Sequence, residues 1–403
     1  MKDEIIEAFD ISKISNNYSG DIEITDLKEE LGTKGHLFVI RGDLAYADKL
    51  EKYSYLANPK FWLYENIIKS KRIQEQLKKY PSHKLFDGVG FSSLEAVGYH
   101  AKQLGRKAVV VMAKEMIPDK EVFEKWDIEV IHGDKPMEEG YVIKQAEVFS
   151  KRNDLIPLHQ ALYGAQALAP IGNKIAKDLE EKLIIPEETY WCMASGSNIY
   201  GIGAKIKEKF PKCKIILVEP SENLNIGGIN LNDPNIVKAF AKYKLRNYSL
   251  DDWNKIYSGI APLHVLHPNK YLLLYWLSTG KTGLDRVVDI PKNKVKKLQD
   301  ILRNINEEYD WTSTTALTLV PAMESAKKGK NVLVMAYGKN RKNKLKDLLI
   351  VNDPSSFFDK IKENPIKIAL AGGVLAAGLI IGTGLTYLAN KYLDHNAPMY
   401  MIN

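Results

Sequence analysis

The thirteen residues Trp191-Cys192-Met193-Ala194-Ser195-Gly196-Ser197-Asn198-Ile199-Tyr200-Gly201-Ile202-Gly203 carry the most specific chemical pattern in the chain. An apolar strand runs into a turn of small residues, the turn opens into a helix, and a second apolar strand follows at Lys214–Pro220. Backbone N–H groups at such a turn, together with the positive end of the helix, close around a phosphate. Spacing then removes several chemistries. A nicotinamide fingerprint needs GxGxxG and an acidic residue roughly 20 positions on. Here the pattern is AxGxxxxGxG, and only Glu219 falls at a suitable distance. No Gly-Lys-Ser/Thr closes the turn as in a P-loop. Ser195 and Ser197 each lack one flanking glycine of a nucleophile elbow. His264 and His267 form an HxxH pair with no third ligand in view, so no metal site is expected. Cys192, on the strand before the turn, reads as a small buried hydrophobe.

The elements that must position this turn alternate along the chain. Leu37–Arg41, Leu85-Phe86, Ala108–Met112, Ile128–Ile131, Val287–Ile290 and Asn331–Met335 read as strands. Helical spacing marks Phe61–Tyr80, Ser93–Leu104, Glu121–Trp126, Ile171–Lys182, Lys292–Asn304 and Thr315–Lys328. Strands alternating with helices over this length predict an α/β fold of two lobes, with mostly parallel sheets and flanking helices. Residues 1–35 are polar and mixed, and read as a loosely packed lead-in to a two-lobed domain over 36–338.

Composition fits a large globular domain, with 403 residues, 45% hydrophobic and 27% charged. The net charge of +7 is not gathered into a basic stripe with interleaved aromatics, so no nucleic-acid partner is expected. Basic residues concentrate instead between Lys327 and Lys367. Residues 339–367 form a basic linker with eight Lys/Arg against four Asp/Glu, and Ile368–Ala389 then runs twenty-two residues without a charge. That length matches a bilayer span. The basic flank precedes it and residues 390–403 form a weakly charged tail, so the positive-inside rule places the domain in the cytoplasm, anchored by one C-terminal transmembrane helix. Two cysteines without metal-ligand spacing and a charged N-terminus agree with a reducing compartment and no secretory signal.

Cys192–Gly201 (CMASGSNIYG) resembles the GGGSNAIG phosphate loop of the tryptophan synthase β chain, a pyridoxal 5'-phosphate (PLP) enzyme of the β-family, fold type II. Three further stretches resemble that family in the same order: Leu158–Gly164 (LHQALYG), Tyr257–Leu263 (YSGIAPL) and Trp311–Ala316 (WTSTTA). The resemblance implies that Ser195, Gly196, Ser197 and Asn198 hold the cofactor phosphate, and that Ser313 or Thr314 hydrogen-bonds the pyridine nitrogen. Thr315 stands where the family often has histidine. The Schiff-base lysine is expected early, just inside a helix that precedes a Gly-rich turn, and Lys69 is the best match by position. The family's catalytic glutamate falls on Asp87, whose alternative reading is a turn or capping residue. Ser92 and Ser93 would face a substrate carboxylate. The implied activity is β-elimination or β-replacement on an amino acid of the L-serine type, by a divergent, membrane-anchored member that resembles a homodimeric family. The alternative is a catalytically degenerate scaffold that binds PLP or a metabolite.

Overall fold

The alternating apolar runs build two separate sheets in the computed structural model, which describes residues 18–112, 124–133, 144–145, 147–192, 196–221 and 283–340. The strands are β1 (Ile24–Asp26), β2 (Leu37–Ile40), β3 (Lys84–Gly88), β4 (Ala108–Met112), β5 (Ile128–His132), β6 (Leu155–Pro157), β7 (Glu188–Trp191), β8 (Lys214–Pro220), β9 (Arg286–Ile290) and β10 (Val332–Met335). The six-stranded sheet has the order β1-β2-β10-β7-β8-β9 and the four-stranded sheet the order β5-β4-β3-β6. Every pairing is parallel except β1 with β2, which is antiparallel, Thr25 opposite Val39. Strands covered on both faces are near-continuous apolar runs, and every residue of β4 is fully buried.

The α-helices of more than four residues among those described are α1 (Lys60–Lys69), α2 (Lys71–Lys79), α3 (Phe91–Gln103), α4 (Gln160–Glu181), α5 (Ala204–Lys209), α6 (Lys292–Ile305) and α7 (Ser313–Lys327). The chain leaves the six-stranded sheet after β2, builds the four-stranded sheet through β3–β6, and returns along α4 to β7.

Several boundaries differ from the sequence expectation. The lead-in is partly structured: β1 adds a strand to the sheet edge and Leu27 is fully buried. The expected helix over Phe61–Tyr80 is two helices, broken at Ser70, whose hydroxyl accepts the Ile73 N–H as the N-cap of α2. The helix expected from Ile171 starts at Gln160 and contains Pro170. Strand β6 has no counterpart in the sequence reading. Among the described residues no helix is long and apolar enough to cross a membrane. The basic linker beyond Asn340, the apolar segment Ile368–Ala389, the Tyr257–Leu263 stretch, His264 and His267 all lie outside the described residues.

Candidate active site

Helix α1 begins directly at a lysine. Asn58, Pro59 and Lys60 form its entry, and the Asn58 Oδ1 accepts the Lys60 backbone N–H at 2.9 Å. The Lys60 side chain is partly buried, and its Nζ donates to Gln160 Oε1 at 3.0 Å. Burial pulls the ammonium down from 10.5 to about 8, and the nearby Asp87 charge limits that fall. At pH 7 this leaves about one amine in ten neutral, against about one in 3,000 at the ordinary value. A neutral amine is the form that acts as a nucleophile.

Asp87 sits near the C-terminal end of β3, 2% exposed, with donors on both carboxylate oxygens. Oδ2 accepts from Tyr64 OH at 3.0 Å and from the Gln160 backbone N–H at 3.0 Å. Oδ1 accepts from the Gly88 N–H at 2.9 Å and from Gln145 Nε2 at 3.4 Å. Burial raises the Asp87 carboxyl from 3.8 to about 6, while these bonds and the Lys60 charge hold it back from a larger rise. A carboxyl near 6 exchanges a proton readily close to neutrality.

Gln160 joins the two groups. It follows β6 by three residues and opens α4, so it stands at the C-terminal edge of the four-stranded sheet beside Asp87. Its Nε2 donates to Gly88 O at 3.0 Å, which points its Oε1 at Lys60 Nζ and at Ser93 Oγ, 3.1 Å away. His159, the residue before it, takes a left-handed backbone (φ 54°). Arg72 donates to the Pro157 and Leu158 carbonyls at 3.1 and 3.0 Å and so fixes this turn from α2.

One helical turn beyond Gln160, Gly164 meets the phosphate-loop region. A Cβ at Gly164 would lie 2.4 Å from Ser197 Oγ and 3.0 Å from Leu63 Cδ1 on α1. Only a glycine here lets Ser197 approach the same face of α4 that carries Gln160. Gly196, with φ of 79°, makes the turn into the helical residues that begin at Ser197. Ser197 is buried and Asn198 partly buried, while Ser195 lies outside the described residues. The residues Ile199–Gly203 form a π-helical turn leading into α5.

At the start of α7, Thr314 is 3% exposed and its carbonyl accepts from Cys192 Sγ at 3.5 Å. Its hydroxyl makes no hydrogen bond among the described residues. Ser313 is exposed, so of the two expected ring-nitrogen partners Thr314 is the buried one. Thr315 is committed to structure: Oγ1 accepts the Tyr337 N–H at 2.9 Å. Cys192 donates its backbone N–H to Tyr337 OH at 3.2 Å, and burial pushes its thiol far above the ordinary value, as befits a packed, unreactive sulfur.

The structure brings Asp87 and Ser93 to Gln160 and sets Ser197 against Gly164 one turn along the same helix, and Ser92 lies near Asn58, its carbonyl accepting from Asn58 Nδ2 at 3.4 Å. It does not bring Lys69. That side chain is 68% exposed at the C-terminal end of α1 and pairs with Glu65 at 2.7 Å, nine residues and the whole length of the helix away from Lys60. Lys60, Tyr64 and Gln160 are the participants that the sequence reading passed over. Lys60 alone had a local signal, a cation directly after proline at a helix start.

No protein-family model matches the chain, and no curated protein matches it in sequence. Solved structures do match in fold. O-acetylserine sulfhydrylase isoform 3 from Entamoeba histolytica is 13% identical with a TM-score of 0.56, covering 84% of this chain and 89% of its own. A hydrogen sulfide-producing enzyme from Fusobacterium nucleatum is 14% identical with a TM-score of 0.55, covering 84% and 97%. An O-acetylserine dependent cystathionine β-synthase from Helicobacter pylori is 14% identical with a TM-score of 0.56, covering 81% and 95%. The sequence resemblance pointed to the tryptophan synthase β chain, whereas these structures are of the cysteine synthase kind. What the chain shares with them is the mixed α/β architecture of parallel sheets found in fold type II PLP enzymes.

Proposed function

We propose that this chain is a PLP-dependent enzyme acting at Cβ of an amino acid, by β-elimination or β-replacement, with Lys60 rather than Lys69 as its Schiff-base lysine. The observation that carries this reading is the partly buried Lys60 amine, lowered to about 8 and held between Gln160 and the Asp87 region. The residues present fit the cofactor on three counts: a lysine with a substantial neutral fraction, a glycine at 164 that leaves room only for Ser197, and a buried threonine hydroxyl without a protein partner among the described residues.

In this reading Gly196, Ser197 and Asn198 hold the phosphate at the helix start. Thr314, buried, would hold the ring nitrogen as a neutral hydroxyl donor. When bound, PLP supplies an electron sink for charge developing at Cα. Lys60 would supply the amine that holds the cofactor and would move the proton at Cα, its Nζ oriented by donating to Gln160 Oε1. Ser93 at the start of α3, with Ser92, offers hydroxyl and backbone donors to a substrate carboxylate. Asp87, near pH 6, gives a proton to the departing β-substituent or takes one from an incoming nucleophile. An L-serine-type substrate, free or with an activated hydroxyl, meets these requirements. The catalytically degenerate alternative has no need of so many polar groups converging on one lysine. We further propose that Ile368–Ala389 anchors the protein in a membrane with this domain on the cytoplasmic side.

The test is the visible absorbance of the purified full-length protein after PLP addition. The expected result is a lysine-linked cofactor band that persists in Lys69→Ala and disappears in Lys60→Ala. A band lost only in Lys69→Ala refutes the lysine assignment, and a colourless wild type refutes the PLP assignment. Adding L-serine or O-acetylserine and observing a spectral change then separates an enzyme from a binder.

A further inference from the structure

An ionic cluster that the proposed chemistry does not use lies at the C-terminal edge of the six-stranded sheet. Asp43, three residues beyond β2, is fully buried. Its Oδ1 accepts from Arg41 Nε at 2.9 Å. Its Oδ2 accepts from Arg41 Nη2 at 3.1 Å and from the Trp311 indole N–H at 2.9 Å, and pairs with Lys339 Nζ at 3.0 Å. Arg41 is 3% exposed, and its guanidinium lies 5.6 Å from the centre of the Trp311 ring. A carboxylate offers about four acceptor sites, so this one is full. Burying such charges adds little to stability, because desolvation cancels most of the attraction. The better-attested use of buried ionic groups is to fix one arrangement of the segments that carry them.

Three segments converge on Asp43. Trp311 leads into α7, whose N-cap is Thr312 and whose second residue is Thr314. Lys339 follows β10 and forms an antiparallel bridge with Trp311, while the Thr312 N–H donates to Gly338 O at 3.0 Å. The third segment, Arg41–Asp43, contains Gly42. A Cβ at Gly42 would lie 2.6 Å from the Ala336 carbonyl oxygen and 2.6 Å from Pro59 Cγ, so this backbone abuts the residue before Lys60. A Cβ at Gly338 would lie 3.6 Å from the Ala57 carbonyl oxygen and 3.8 Å from the side chains of Asn58 and Thr312. The entries to α1 and α7 therefore rest on the same two stretches, 41–43 and 336–339, and Asp43 ties those stretches together.

We propose that Asp43 is a positioning residue that sets the separation between Lys60 and Thr314, acting through Trp311, Lys339 and the Gly42–Pro59 contact. The proposal rests on the PLP reading above. The aldehyde and the ring nitrogen of PLP stand at opposite ends of one rigid ring, so a lysine and a hydroxyl that hold both ends must keep a fixed spacing. Functional groups of this kind are held to within about 0.5 Å by the residues around them. The two helices concerned diverge: α1 leads toward β3 of the four-stranded sheet, and α7 leads into β10 of the six-stranded sheet. Their entries share the Asp43 cluster, which is where a common spacing can be set.

Trp311→Phe is the primary variant, because it keeps a ring and leaves Asp43 its bonds to Arg41 and Lys339. Asp43→Asn, which unpairs two cations, is the stronger one. The control is Glu188→Ala, which breaks another buried ionic network of the same sheet, the one shared by Lys330, Ser325 and Tyr190. Hydrogen exchange is first measured by mass spectrometry on the full-length proteins without PLP. Trp311→Phe is expected to speed exchange by about tenfold in peptides covering both 311–316 and 57–63, the lower end of what one lost bond to a charged group corresponds to. Asp43→Asn speeds both further, and Glu188→Ala leaves both at the wild-type rate. With PLP added, Trp311→Phe should shift the maximum of the lysine-linked band and raise the PLP dissociation constant about tenfold, and Glu188→Ala should change neither. Faster exchange at 311–316 alone overturns the proposal, since Asp43 then holds one entry only. A band and affinity that stay in place despite faster exchange, or that change equally in Glu188→Ala, overturn it too. A colourless wild type overturns the PLP reading and this proposal with it, and is distinguished from the other failures because it appears before any substitution.

Discussion

Replacing Tyr64 by phenylalanine isolates the balance of forces on Asp87. Tyr64 is fully buried and its hydroxyl donates to Asp87 Oδ2 at 3.0 Å, so Tyr64→Phe keeps the ring and removes one donor. A hydrogen bond to an ionised group contributes about 1.5–3 kcal/mol, which corresponds to a shift of about one to two pH units. The bond favours the charged carboxylate, so its loss moves Asp87 upward from about 6 toward 7 or 8. The folded-state value already lies above the unfolded one. Native protein therefore binds the extra proton between pH 4 and 6, and this group's contribution to stability is complete below pH 4 and lost as pH rises through 6. In the variant the same loss extends through pH 7 to 8 and is larger. Denaturant unfolding of wild type and variant, measured in parallel from pH 5 to 8, cancels the other titrating groups in the difference. The destabilisation of Tyr64→Phe should grow by about 1.5–3 kcal/mol across that range. A difference that stays constant with pH means that Asp87 does not titrate there and that the Tyr64 hydroxyl does not hold its carboxyl down.

Other substitutions test neighbouring links. Gly164→Ala forces a methyl to within 2.4 Å of Ser197 Oγ; overpacking of this kind costs about 1–3 kcal/mol, and PLP retention should fall along with the melting temperature. Arg72→Ala removes two charge-assisted bonds to the carbonyls before Gln160; turnover should drop, with substrate KM changed less than kcat, while a lysine at the same position restores little because it lacks the forked geometry. Glu188→Ala leaves Lys330, Ser325 and Tyr190 without their shared acceptor in the six-stranded sheet; unfolding experiments should show a loss of about 1–3 kcal/mol, set by the buried hydroxyls left unpaired, with the visible absorbance per folded molecule unchanged.

Much of the architecture was legible because buried parallel strands are written as uninterrupted apolar runs. Ala108–Met112 and Val332–Met335 announce themselves in this way, and the strand–turn–helix at Trp191–Gly203 does so through its small residues. Strand β6 did not, since three residues ending in proline carry no periodicity. Pro170 hid the first half of α4: proline ordinarily ends a helix, but here the segment is held by α1 on one side and by Ile199–Gly203 on the other, seen where Gly164 meets Leu63 and where Gly201 meets Leu168. That hidden half contains Gln160, so losing the helix start also lost the residue that links lysine to carboxylate. Asp87 and Ser93 enter through the family resemblance at a Gly-containing turn before a helix, and the structure sets both against Gln160.

The choice between Lys69 and Lys60 turns on helix electrostatics. A lysine at a helix C-terminus, next to a glutamate four residues earlier, is where the macrodipole and the i,i+4 pairing both favour a cation. Lys69 has both and needs no functional explanation. Lys60 has neither. It occupies the first position of α1, where the positive helix end opposes an ammonium, no acidic residue stands in the first turn, and burial adds a second penalty. Both forces act in the same direction, toward the neutral amine. A charge placed against local preference persists when the surrounding structure has a use for it, and the groups gathered around this one are an amide oxygen and a carboxyl poised near pH 6. The position least suited to a resting ammonium is thereby the one best suited to a reactive amine.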